Sequence, residues 1–159
     1  MKKSLLYFIA AATICFSSCK SANDKIKNGI ELKENGLHVE EAFLTNLNGQ
    51  YISNDNKVQV GDHVYLRMVI DGWQVKDGRV FLDASQKVAT SSGETLVDDP
   101  SIIAPVYTAG ATPAEAKYVM LNQKIGRLGD PHDYIIITFR VWDKTSNKSV
   151  SGLYKLYLQ

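Results

Sequence analysis

The amino-acid sequence predicts an all-β fold, a single antiparallel Greek-key β-sandwich of about 7–9 strands. Three observations carry that expectation. From Gly29 onward apolar residues recur with a period of two, turn-forming residues interrupt them at short spacing, and helical periodicity is almost absent. Such alternation puts one face of each strand into a core and the other toward solvent, as antiparallel sheets require.

Residues 37–44 open the series. Leu37 and Val39 alternate in one phase, Ala42 and Leu44 in the other. Glu40-Glu41 between them predict a β-bulge, because one extra residue shifts the phase. Residues 63–70 (HVYLRMVI) turn Val64, Leu66, Met68 and Ile70 inward and His63, Tyr65, Arg67 and Val69 outward. In 134–142 (YIIITFRVW) the inner stripe is Ile135, Ile137, Phe139 and Val141. Tyr134, Ile136, Thr138, Arg140 and Trp142 form the outer one. Residues 150–158 set Val150, Gly152, Tyr154, Leu156 and Leu158 against Ser151, Leu153, Lys155 and Tyr157.

Weaker strands are expected at 58–60, 79–84, 95–97 and 118–125. Turn pairs such as Asn35-Gly36, Gly61-Asp62 and Asp71-Gly72 separate the runs. Asp77-Gly78 is the best candidate for a tight hairpin turn, joining 74–76 to 79–82. The one helical signal is Thr112-Pro113-Ala114-Glu115, a capping residue with Pro after it and Glu three positions on. The β pattern resumes at Tyr118, so the helix has room for about one turn.

No repeat or linker divides 29–159, which reads as one domain. Its strand spacing fits an Ig-like or C2-like sandwich. Residues 135–158 (IIITFRVWDKTSNKSVSGLYKLYL) resemble the last two strands of Ig-like modules common in exported bacterial lipoproteins. There a core strand ends in an Asp-Lys turn and a G-x-Y-x-L strand returns. The resemblance spans about a sixth of the chain and implies a fold without an activity. Residues 98–117 lack regular periodicity yet carry Ile102, Ile103, Val106 and Tyr107, which are too apolar to stand in water. This segment is expected to fold over a sheet edge or outer face. It would cap the Tyr134/Ile136/Trp142 row, with a return corner at 113–116.

The first residues carry an address. Met1-Lys2-Lys3-Ser4 is a positive leader, and the twelve residues after it (LLYFIAAATICF) are apolar except for Thr13. A bilayer core needs roughly 20 helical apolar residues, so this stretch is too short to span it and has the order of a secretory signal. It ends in Phe16-Ser17-Ser18-Cys19, which resembles the relaxed lipobox of Bacteroidetes-type lipoproteins. The resemblance implies removal of residues 1–18, diacylation of Cys19 as the new N-terminus, and a membrane partner reached through that lipid. Lys20 stands where Asp would imply inner-membrane retention, so an outer-membrane lipoprotein is expected. Residues 19–28 then read as the lipidated Cys and a polar tether. Cys15 leaves with the signal, which excludes disulfides and Cys-based zinc sites from the mature domain.

Charge and composition narrow the function. The chain has 18 basic and 17 acidic residues, a balance that excludes a bulk polybasic nucleic-acid binder. At 45% hydrophobic and 22% charged it is too apolar for wholesale disorder. There is no G-x-S-x-G elbow, P-loop, H-E-x-x-H or G-x-G-x-x-G, and the three His residues are far apart. A non-catalytic binding or assembly module is expected, without a resident cofactor, contacting an envelope protein or glycan.

Two groups of residues could carry contacts. Aromatic rings beside Arg suit protein or sugar surfaces, and Tyr65, Arg67, Trp73, Tyr134, Arg140 and Trp142 are such a set. A Ca²⁺ ion collects oxygens from loops, as in C2-like sandwiches, and Asp98, Asp99, Asp130 and Asp133 could supply them if their loops share one end.

Overall fold

The computed structural model describes residues 24–103, 107–126 and 134–159. Its elements run β1 (Glu31–Asn35), β2 (His38–Thr45), β3 (Lys57–Val58), β4 (His63–Asp71), β5 (Leu82–Thr90), β6 (Thr95–Asp99), α1 (Pro113–Ala116), β7 (Tyr118–Lys124), β8 (Tyr134–Asp143) and β9 (Ser149–Leu158). A six-stranded sheet has the order β1-β9-β8-β5-β6, with β3 beside the far half of β9, and a three-stranded sheet has the order β2-β4-β7. Every pairing is antiparallel except β3 with β9. The chain changes sheets at each step from β1 to β5, stays in the six-stranded sheet for β6, crosses to β7 and back to β8, and β8 returns beside β5. This is a β-sandwich with Greek-key crossings.

The expected stripes form the core. Val64, Leu66, Met68 and Ile70 from β4 are buried, as are Ile135, Ile137, Phe139 and Val141 from β8 and Val150, Tyr154 and Leu156 from β9. The register of β2 against β4 shifts between Val39 and Glu41, where the change of phase predicts a bulge. Helix α1 is the single capped turn: the Thr112 side chain accepts from Glu115 N, and the Glu115 carboxylate accepts from Thr112 N. At Asp77-Gly78 both residues have positive φ (52° and 74°), and Lys76 and Arg79 exchange backbone hydrogen bonds of 2.8 and 2.9 Å. The tight turn exists, but its flanks pair only at that one bridge, and β5 begins at Leu82 rather than at Arg79.

Two further expectations need correction. The tether 19–28 is too long at its C-terminal end, because residues 24–28 already belong to the sandwich. Ile26 bridges Ala42, and Asn28 is buried. The Asn28 amide donates to the carbonyls of Ile52 and Ser53 and to Asn56 Oδ1, while its oxygen accepts from Leu44 N. Four satisfied bonds make a polar residue a core residue.

The described part of the segment 98–117 folds against a sheet edge. Asp98 and Asp99 end β6, and the chain continues along β5, with Ile102 N donating to Ala84 O at 2.8 Å and Ile103 buried. Buried Asp83 anchors it there. Its carboxylate accepts from Ser101 Oγ (2.7 Å), Ile103 N (3.1 Å) and Ala84 N (2.8 Å). Ala111 then bridges Val80 before the corner at α1. Asp83 is the register partner of Trp142, so the described part of the segment stays at that end of the outer row and does not reach Tyr134. Val106 lies outside the described residues.

Candidate functional site

The candidate contact residues divide between two surfaces. Tyr65 and Arg67 belong to the outer face of the three-stranded sheet, whereas Tyr134, Arg140 and Trp142 belong to the outer face of the six-stranded sheet, on the opposite side of the sandwich. Trp73 joins neither. It is half-buried against the core, and its indole N–H donates to Ile70 O at 3.1 Å, which fixes the corner after β4.

Register builds the larger face row by row. Lys33, Ser151, Arg140 and Ser85 lie side by side across β1, β9, β8 and β5. Glu31, Leu153, Thr138 and Lys87 form the next row, and Lys155, Ile136 and Ala89 the one after. Trp142 stands at one end of β8 and Tyr134 at the other. Arg140 lies over the Trp142 ring at 5.6 Å and Lys155 over the Tyr134 ring at 4.8 Å, with Tyr157 5.9 Å from Tyr134. Cations this close to ring faces gain electrostatically from the ring quadrupole.

A shallow depression of about 390 Å³ over this face is lined by Glu31, Lys33, Thr138, Ser151 and Leu153, with Leu32, Phe139 and Gly152 at its floor. Lys33, Lys87, Arg140 and Lys155 are exposed and make no ion pair with any described residue. The sheet thus presents hydroxyls and cations between aromatic ends. The three lysines escape sequence reading because they come from three strands, and only the register makes them neighbours.

The smaller face is more apolar. Phe43, Arg67 and Met120 form one row and Thr45, Tyr65 and Asn122 the next. Arg67 Nε donates to Thr45 Oγ1 at 2.9 Å. Met120 is 50% exposed and Tyr118 69%, and a depression of about 210 Å³ between them also takes in Phe43 and Arg67.

The acidic set does not assemble among the described residues. Asp98 sits opposite Lys87 and Asp99 opposite Gln86 on edge strand β6. Asp130 and Asp133 lie outside the described residues, as does Cys19. Among the described residues no three His, Cys, Asp or Glu side chains converge in a way that could hold a metal ion.

No protein-family model matches the chain, and no curated protein matches it. Among solved structures, the C-terminal domain of Wzt is similar in fold, with a TM-score of 0.51 at 10% identity over 85% of this chain and 81% of that one. At that identity the likeness concerns the fold alone.

Proposed function

We propose that the protein is a non-catalytic, lipid-anchored binding module of the bacterial outer membrane, and that the outer face of the six-stranded sheet is its ligand surface. The anchor rests on Cys19 and the leader before it. The observation that carries the binding role is the set Lys33, Lys87, Arg140 and Lys155, exposed and without carboxylate partners among the described residues, on a face that also bears Trp142 and Tyr134. An isolated domain would be expected to scatter or pair such charges. Grouped beside hydroxyls and rings, they fit an acidic glycan. Guanidinium and ammonium groups take its carboxylates or phosphates, and ring faces take the apolar faces of its sugars.

The test is titration of the mature protein with an acidic polysaccharide, polygalacturonate, and with neutral dextran. Binding should favour the acidic chain and weaken with salt. Arg140→Ala should raise Kd about tenfold, which is roughly 1.4 kcal/mol. Equal binding to both chains, or an Arg140→Ala variant that binds as before, overturns this assignment. Cys19→Ala should move the protein from the membrane fraction to the soluble one and abolish lipid labelling. Unchanged partition and labelling in that variant would remove the anchor.

A second reading rests on the smaller face. Exposed Tyr118 and Met120 around Arg67 have the composition of a protein contact surface. In that reading an envelope protein docks on β7, and Met120→Asp rather than Arg140→Ala abolishes the interaction.

A further inference from the structure

One pole of the sandwich carries apolar side chains that neither sheet face explains. Leu47, in the turn between Asn46 and Gln50, is 66% exposed, Tyr51 is 63% exposed, and Val60, in the turn before β4, is 58% exposed. All three belong to loops, where burial in the domain is not required and a polar residue would be the default. Leu47 and Tyr51 line one depression together with Gly61, the residue after Val60. The Tyr51 ring lies 4.8 Å from the Phe43 ring, with Lys27 Nζ 4.8 Å from its centroid. An aromatic ring with a polar tip, flanked by aliphatic side chains and a lysine, is the chemistry of a membrane–water interface.

The described chain begins beside this pole, with Ile26 opposite Ala42 at the middle of β2. Asp24, where the described chain begins, lines a depression with Lys27 and Tyr51. From Cys19 to Asp24 there are five Cα steps, which extend to at most about 18 Å. A lipid inserted at Cys19 would therefore keep Asp24 within about 18 Å of its point of insertion, which lets the pole around Tyr51 reach the bilayer surface.

We infer that the pole formed by Leu47, Tyr51 and Val60, with Lys27, rests in the headgroup region of the membrane that holds the lipid. The inference rests on the lipoprotein reading above and adds an orientation to it. Strand β9 leads away from this pole, since Leu158 pairs with β3 and Ser149 lies at the β8–β9 turn. At about 3.3 Å per residue that turn stands roughly 30 Å farther from the membrane. The outer face of the six-stranded sheet is then held on edge to the bilayer, open to a ligand along its height.

The test uses the mature, lipidated protein with one added cysteine carrying a fluorophore, Leu47→Cys at the pole or Asn147→Cys at the far turn. Both sites are exposed, so neither label should disturb folding. The probes are mixed phosphatidylethanolamine and phosphatidylglycerol vesicles with brominated acyl chains. The label at position 47 should be quenched severalfold more than the label at 147. If the protein floats with the vesicles and both labels are equally unquenched, the anchor stands and the docked pole is refuted. If the protein neither floats nor carries lipid on Cys19, the anchor itself fails and this orientation with it.

Discussion

Replacing Tyr154 by Phe should make the protein more stable. Tyr154 points inward from β9 and is fully buried, with its ring centroid 6.3 Å from that of Phe139 and tilted by 48°. Its hydroxyl has no hydrogen-bond partner among the described residues, and burial pushes its pKa well above the ordinary tyrosine value. An unpaired buried hydroxyl costs about 1–3 kcal/mol of desolvation. Tyr154→Phe removes that cost and keeps the ring, so little space opens and the contact with Phe139 persists. A net gain of about 1 kcal/mol is expected, equivalent to a rise of about 2–4 °C in Tm for a domain of this size. Urea denaturation followed by tryptophan emission reads it directly, as a higher midpoint at unchanged m-value. A loss of 1 kcal/mol or more would mean that the hydroxyl is paired. Gln86, whose Nε2 is likewise buried without a partner on the same inner face, is the group that would then be holding it.

Two further outcomes follow from the same core. Gly152→Ala should destabilise by about 1–3 kcal/mol through overpacking, since an added Cβ would run into the Glu31 carbonyl and lie 2.7 Å from Phe139 Cζ; an unchanged urea midpoint would mean that β1 yields freely there. Asp143 gives an acid dependence. Burial works to raise its pKa, but hydrogen bonds from Gln74 N and from the Thr145 hydroxyl and N–H outweigh it and hold the carboxyl below the ordinary Asp value. A depressed carboxylate stabilises the fold above its unfolded pKa, about 4, and that contribution is lost as pH falls through the lower folded value. Asp143→Asn should therefore flatten the fall in stability below pH ~4 while costing about 1–3 kcal/mol at neutral pH, and parallel acid-unfolding curves for the two proteins would contradict this.

The strands legible in the sequence are those whose inner face is a long apolar stripe. β4 alternates without exception over its full length and β8 does so as far as Trp142, before buried Asp143, because both neighbours of each are strands and one side meets the opposite sheet. β1 left no such trace. It is an edge strand whose residues are exposed apart from half-buried Leu32, so nothing in ELKEN alternates. The second half of β5 was hidden for another reason. Its inner face includes Gln86 and Thr90, polar residues that break the apolar stripe although both are buried. In the sequence Asn28 looks like part of a tether, because its core role depends on four hydrogen bonds to residues 16–28 positions away. Arg140, Trp142 and Tyr134 could be placed on one face by counting along β8. Lys33, Lys87 and Lys155 could not, since their company depends on which strands are neighbours and in what register.

The G-x-Y-x-L strand that carries the resemblance to exported Ig-like modules has a physical account here. Gly152, Tyr154 and Leu156 are successive inward positions of β9, opposite Phe139, Ile137 and Ile135. The glycine leaves room for the Phe139 ring, whose Cζ would lie 2.7 Å from any Cβ at that position. Tyr154 packs against the same ring from the next inward position, and Leu156 closes the row at Ile135. Small, aromatic and aliphatic positions thus interlock with one strand opposite, as dense core packing demands. Because this pattern faces wholly inward, it constrains only the core. The outward positions between, Leu153 and Lys155, with Ser151 before them, are free of that constraint. They are the residues that β9 contributes to the proposed ligand face, so one strand can keep its fold while the chemistry on its other side changes.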